Sequence, residues 1–385
     1  MRFTIKQKRW LAGGSIGVAM LLWGVVISKQ LASSPVQQLV EQGQAFALRG
    51  EAGHAEQAWL RASQLDPKST ILWQLLGDLY LNTSQWDKAK KAFQKLVEIA
   101  PETPHAYTGL AVATLRLGDE VDAYKWAKEA VKRNPKDASS LQIVAFASGY
   151  MGRTEEQLAT LRQLLSLQPR DTEVLEMCIE AFSGQKKFDE LRKVADTLIE
   201  VQPTNTMAYG VRALVLLESD GSPEALTAAE KDLVHALQIA PLYGYARFQL
   251  GRLYLRQSRW NDAILQLEQA QKLSPRQMDV PFELATAYTR AGKLDKAAIA
   301  RARFQVLRDE TNRLNVVTKK SSLEPDNFEA NLEVGEITLK NGDLRKAGYF
   351  LMAAVKLKPS DPRAKKAYAE LVTKIKARTQ ASQSQ

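Results

Sequence analysis

Along most of the chain apolar residues recur every three or four positions, in runs about a dozen residues long, and every second run ends at a proline. Residues 96–109, LVEIAPETPHAYTG, show the device: one helical run stops at Pro101 and the next opens at Pro104. Proline lacks an N–H and pushes the residue before it, here Ala100, out of the helical region, whereas in a first turn its fixed φ suits a helix. The break therefore predicts a joint between two helices. Pro67, Pro101, Pro135, Pro169 and Pro203 are each 34 residues apart; Pro241 follows after 38, Pro275 after 34, Pro325 after 50 and Pro359 after 34. Such a period is the mark of stacked structural repeats.

Inside one period the pattern supplies two helices. Trp73, Leu76, Gly77 and Tyr80 fall at helical spacing, Asn82, Thr83 and Ser84 form a polar turn, and Trp86, Ala89 and Phe93 resume the spacing. Gly77 and Ala89 are expected where the two helices of the hairpin approach most closely. These residues resemble the tetratricopeptide repeat family. The match extends to Leu250, Gly251, Tyr254, Trp260 and Ala263, to Leu284, Ala285, Tyr288, Gly292 and Ala297, and to Leu110, Ala111, Gly118, Ala123 and Ala130. Gly43, Phe46, Gly50, Ala55 and Ala62 keep the same register ahead of Pro67.

The resemblance implies an all-α fold: a right-handed α-solenoid of about nine helix-turn-helix units over residues 36–361, closed by a capping helix at 362–378 and a disordered tail at 379–385. Two units depart from the period. The sixth has four extra residues, which Gly221 and Pro223 assign to a longer turn between its helices. The eighth carries sixteen extra residues between Ala297 and Pro325. There Ala297, Ala300, Phe304, Leu307, Thr311, Leu314 and Thr318 step by three and four, a seam down one side of a lengthened helix with its insertion at about 304–322. Either this seam packs on the neighbouring units, or Phe304, Leu307 and Leu314 belong to a projecting helix that recruits a partner or a second copy.

Composition changes the picture only at the ends. With 45% apolar and 25% charged residues the chain is ordinary soluble protein. Of its net charge of +10, four charges come from Arg2, Lys6, Lys8 and Arg9, so the surplus reads as a solvated surface and no nucleic acid is expected. Residues 10–27, WLAGGSIGVAMLLWGVVI, are uncharged and long enough, at about 27 Å as a helix, to cross a bilayer. The basic residues 1–9 ahead of this span place the N-terminus in the cytoplasm and the repeats outside it, after a linker at 28–35. A cleaved signal peptide is the alternative, opposed by Pro35 just after the nearest small-residue site.

Chemistry is sparse. The single cysteine, Cys178, excludes an internal disulfide, and His54, His105 and His235 are too scattered for a local metal motif. No phosphate loop or nucleophile motif occurs, so neither catalysis, metal nor cofactor is expected. The resemblance implies instead a groove lined by the first helix of each unit, whose second, fifth and ninth places face a peptide or helix of a partner protein. Those places hold Gln74 and Asp78 in unit two, His105, Thr108 and Val112 in unit three, and Tyr245, Phe248 and Arg252 in unit seven. The last three form a candidate hot spot, unless Phe248 packs between units. The Lys, Asn and Arg clamp by which some members hold acidic tails is missing from units two and three. The expected function is a membrane-anchored, extracytoplasmic scaffold of an envelope assembly, secretion or polysaccharide-export system. A regulatory subunit of a membrane enzyme complex and a self-oligomerising organiser are the alternatives.

Overall fold

The structure, a computed structural model, describes residues 34–383. The expected basic segment, membrane span and most of the linker lie outside these residues. Among the described residues there are nineteen α-helices and no strand, and they fall into two compact units that meet in sequence at Pro203 and Thr204.

In the N-terminal unit five hairpins follow one another: α1 (Pro35–Leu48) with α2 (Ala52–Leu65), α3 (Thr70–Asn82) with α4 (Trp86–Ile99), α5 (Pro104–Arg116) with α6 (Glu120–Arg133), α7 (Ala138–Tyr150) with α8 (Thr154–Leu167), and α9 (Thr172–Gly184) with α10 (Phe188–Val201). The C-terminal unit holds α11 (Thr206–Ser219) with α12 (Pro223–Ile239), α13 (Gly244–Arg256) with α14 (Trp260–Leu273), α15 (Asp279–Arg290) with α16 (Leu294–Leu323), α17 (Phe328–Asn341) with α18 (Leu344–Leu357), and a last helix α19 (Pro362–Gln383) packed on α17 and α18. Neighbouring first helices touch, α3 with α5 and α5 with α7, α11 with α13 and α13 with α15, more than neighbouring second helices do. The first helices therefore line the inner side of each of these stacks.

Local chemistry repeats with the period. The residue before each joint proline is extended, as at Ala100 (φ −138°, ψ 74°), so the second helix stops there. Two residues beyond the proline comes the N-cap of the next first helix. Asp137, Asp171, Asn205 and Asn327 fill this place, and their side chains accept hydrogen bonds from the amides of Ser140, Val174, Ala208 and Ala330. Between the helices of a hairpin one residue adopts positive φ. In the first five hairpins it falls at 50, 84, 118, 152 and 186, again 34 apart; Gly takes it at 50, 118 and 152, Ser84 and Lys186 at the others.

The core of a hairpin is a large side chain of the second helix lying on small residues of the first. A Cβ on Gly77 would come within 2.7 Å of the Phe93 ring, and one on Gly109 of the next hairpin within 2.4 Å of it. One phenylalanine is thus seated between two glycines of successive first helices. Leu267 lies over Gly251 and Leu351 over Gly335 in the same way. The recurring tyrosine has a polar role in the joint: Tyr80 donates to Glu56 of the preceding hairpin (2.9 Å) and Tyr288 to Glu268 (2.5 Å). Lys88 and Arg259 stack over the Tyr80 and Tyr254 rings. Burial, with the neighbouring carboxylate, pushes the hydroxyls of Tyr80 and Tyr288 well above the usual phenol range.

Three expectations need correction. The sixth hairpin has no longer turn: Ser222 caps the helix through the Ala225 amide with Pro223 at its first position, and the extra residues lengthen α11 to 14 and α12 to 17 residues. The capping helix does not end at 378: α19 runs from Pro362 to Gln383. The lengthened helix is one uninterrupted α16 of 30 residues, and of the two readings of its seam the projecting one fails, because the seam faces its own neighbours. Leu307 is buried, Phe304 is half-buried with its ring 5.3 Å from that of Phe282 on α15, and Leu314 is half-buried.

α15 covers the first half of α16 and α17 the second half. Arg313 pairs with Glu333, and Ser321 donates to Asn331 (3.0 Å). Glu310, at the middle of α16, is held by Arg276 ahead of α15 and by Lys340 at the end of α17.

Candidate partner-binding face

The first helices of the N-terminal unit present a row of partly buried polar and aromatic side chains at the expected places: Gln74 on α3, His105 and Thr108 on α5, Ser139, Gln142 and Phe146 on α7, and Glu173, Glu176 and Glu180 on α9. Several are tied across the joints. Asp78, expected to be open to the groove, is buried, and its Oδ1 lies 2.8 Å from Nε2 of His105 on the next hairpin. The ninth place of one first helix thus meets the second place of the next, which two residues 27 apart in sequence do not advertise. Burial pulls the His105 pKa down, but the hydrogen bond and charge of Asp78, with the charge of Asp137, outweigh it and leave the imidazole titrating above its ordinary value.

Thr108 continues this line into the fourth hairpin. Its Oγ1 donates to Asp137 Oδ2 at 2.9 Å and lies 2.9 Å from Ser140 Oγ, while Asp137 also caps α7. Val112 is buried and takes no part in an open face. Of the two residues expected in unit two, Gln74 and the edge of the Asp78–His105 pair therefore remain for a visitor.

On the fifth hairpin the same three places are all glutamates, which sequence reasoning passed over because it stopped at the units with aromatic or clamp-like residues. Burial, with Asp171 and Glu176 close by, pushes Glu173 up to about 7, and burial also raises Glu180. Cys178, on the other side of α9, is buried among apolar residues and its thiol is pushed up to about 12, so it stays protonated at neutral pH.

In the C-terminal unit the expected hot spot is assembled differently. Phe248 is only 6% exposed and packs inward. Tyr245 is half-buried, and a Cβ on Gly210 of the preceding hairpin would stand 3.1 Å from its ring, so Gly210 makes its seat. Arg252 is not an open anchor: its Nη2 reaches Glu218 at 2.5 Å and its Nε Glu283 at 3.5 Å, linking three successive first helices. These residues are brought together, but as a joint more than as a contact surface. Arg212 and Asp232 make a second tie, two bonds of 2.7 Å within the sixth hairpin.

Among the described residues no group of three or more His, Cys, Asp or Glu side chains could hold a metal ion, and no helix is long and apolar enough to cross a membrane.

Comparison with known proteins agrees with the repeat assignment. A tetratricopeptide repeat family model matches residues 75–138 and 248–310. The TPR repeat-containing protein YpiA of Bacillus subtilis is 21% identical over 263 residues, 68% of this chain and 61% of its own length. Superkiller protein 3 of Schizosaccharomyces pombe is 30% identical over 105 residues, 27% of this chain and 7% of its own. The chain thus spans less than two thirds of either relative. Among solved structures, a tetratricopeptide repeat protein from Parabacteroides merdae is similar with a TM-score of 0.44 and 14% identity, covering 66% of this chain and 99% of that one. YrrB, described as a TPR protein with an unusual peptide-binding site, is similar with a TM-score of 0.45 and 16% identity over 49% of this chain and 95% of its own.

Proposed function

We propose that this chain, whose repeats are tetratricopeptide repeats, is a non-catalytic scaffold that holds an extended segment of a protein partner along the first helices of its N-terminal unit. The observation that carries the reading is the row from Gln74 through His105, Thr108 and Gln142 to Glu173, whose middle members His105 and Thr108 are fixed by bonds between hairpins. Side chains already ordered before binding lose little entropy when a partner arrives. The fifth hairpin supplies carboxyl groups at the end of the row, which favour a partner segment carrying Lys or Arg.

Residues 10–27 would tether the scaffold to a membrane with the repeats outside the cytoplasm, where it would serve an envelope assembly, secretion or polysaccharide-export system. A photo-crosslinking side chain at Gln74 or Gln142, in the full chain in its own membrane, should give adducts with one partner. The same group at Lys91 or Lys125, exposed on second helices, should not. Equal adducts from both sets, or none from the first, would refute the groove. Protease added to intact cells whose outer envelope has been opened should cut the repeats, and protection there would refute the topology.

A further inference from the structure

The side of α16 turned away from its buried seam carries a second, exposed one. Ile299, Ala302, Val306, Asp309, Arg313, Val316, Lys320 and Leu323 alternate in steps of three and four, the spacing of a coiled-coil seam, and all eight are exposed. Its four large apolar members are Ile299 (71% exposed), Val306 (51%), Val316 (68%) and Leu323 (73%). Four such side chains in line on one helix are unlike the scattered apolar residues of an ordinary surface.

The order of residues along this seam says what fits it. Reversing the helix about its middle brings Ile299 opposite Leu323 of a copy, Val306 opposite Val316, Asp309 opposite Arg313, and Ala302 opposite Lys320. Every apolar residue thus meets an apolar one, the only acid meets an arginine, and the lysine can lay its stem on alanine with its ammonium in water. Glu310 meets its own copy near the axis, and each is already held by Arg276 and Lys340. Parallel pairing would instead stack Asp309 on Asp309 and Arg313 on Arg313.

We infer that α16 is a homodimerisation helix: a second copy of this chain docks antiparallel along residues 299–323, with a two-fold axis beside residue 311 and two Asp309–Arg313 pairs flanking it. Arg313 keeps its contact to Glu333 on one edge and remains largely open on the other, so it can serve both carboxylates. The seam runs over about 36 Å of helix. With its flanking positions it offers each partner fewer residues than the roughly 20–30 of a standard interface, so the pairing is of the weak, reversible kind. The reading stands apart from the groove, since it uses the outer side of a second helix in the other unit.

The test is a charge swap on the full-length chain, followed by sedimentation across a concentration series. Asp309→Arg alone and Arg313→Asp alone should each raise the dimer dissociation constant on the order of 100-fold, and the double variant should return to within about 10-fold of the parent. Asp309 and Arg313 are exposed, and unchanged helical circular dichroism would show that the single variants fold. Ile299→Cys should form disulfide-linked dimers when mixed with Leu323→Cys and not by itself. A parent that stays monomeric at about 100 μM, a double variant that fails to recover, or Ile299→Cys linking to its own copy would each overturn the inference.

Discussion

The joint between the second and third hairpins and the joint between the eighth and ninth are built from the same parts at different distances. In the first, α4 is 14 residues long, so α3 and α5 lie side by side, share Phe93 and are bridged by Asp78 and His105. In the second, α16 is 30 residues long, α15 takes its first half and α17 its second, and Glu310 reaches Arg276 on one side and Lys340 on the other. The comparison teaches that groove and dimer seam are alternatives written in helix length. A second helix of regular length has only a short outer side, whereas one lengthened by sixteen residues carries a free side long enough for a partner helix.

If the regular joint is the tighter one, Phe93→Ala should do the most damage. It empties the seat between Gly77 and Gly109 and should cost about 3–5 kcal/mol, seen as lost hydrogen-exchange protection through both hairpins two and three. Leu307→Ala, in the long helix, should cost toward the lower end of about 2–5 kcal/mol and loosen hairpin eight alone. Equal spread of damage from the two would erase the distinction.

The next effect depends on pH. His105 has its folded pKa raised by Asp78 and Asp137, so the stability it contributes is present in full below about 6.5 and is lost as pH rises through the folded value. His105→Gln should therefore cost about 1.5–3 kcal/mol at pH 5.5 and progressively less above neutrality, measured as the difference in urea midpoint from the parent. Arg313→Gln at the other joint, where the pair with Glu333 involves no histidine, should show no such pH dependence over this range.

The smallest effect is a gain. Ser84, Lys186 and Ser258 hold positive φ (58°, 52° and 58°) where other hairpins have glycine, and each Gly replacement should stabilise by about 1 kcal/mol. The reverse change at Gly118 (φ 87°), to Ala, should lose a similar amount. Thermal midpoints of the single variants decide this.

How much of this could be read beforehand follows from what each feature depends on. The joints, the hairpins and the close approach at Gly77 were legible because proline chemistry and helix period act within a few residues of sequence. That Phe93 is what lies on Gly77 was not legible, since which side chain fills a gap depends on the crossing of two helices. The left-handed turn place was also legible, with Gly50, Gly118 and Gly152 on the 34-residue ruler, but Ser84 and Lys186 hid its regularity. Asp78 with His105, and Arg252 with Glu218 and Glu283, were not legible as ties, because each joins different hairpins. A rule that the ninth place of one first helix meets the second to sixth of the next would have found Asp78 with His105 and Arg252 with Glu283, but not Glu218. For α16 the inner seam was read correctly as a pattern and its direction was left open; exposure of Ile299 and Leu323 is what distinguishes the two sides.

The sixteen residues added to α16 also act as an angle. At about 100° per residue they are roughly four and a half turns, so they carry the ninth hairpin some 24 Å along the helix and swing its point of attachment by about 160°. A partner threaded along first helices in the C-terminal unit would run out of track after α15 and find α17 facing elsewhere. Eighteen residues, five whole turns, would have kept the heading; the length present makes the ninth hairpin and α19 a separate platform.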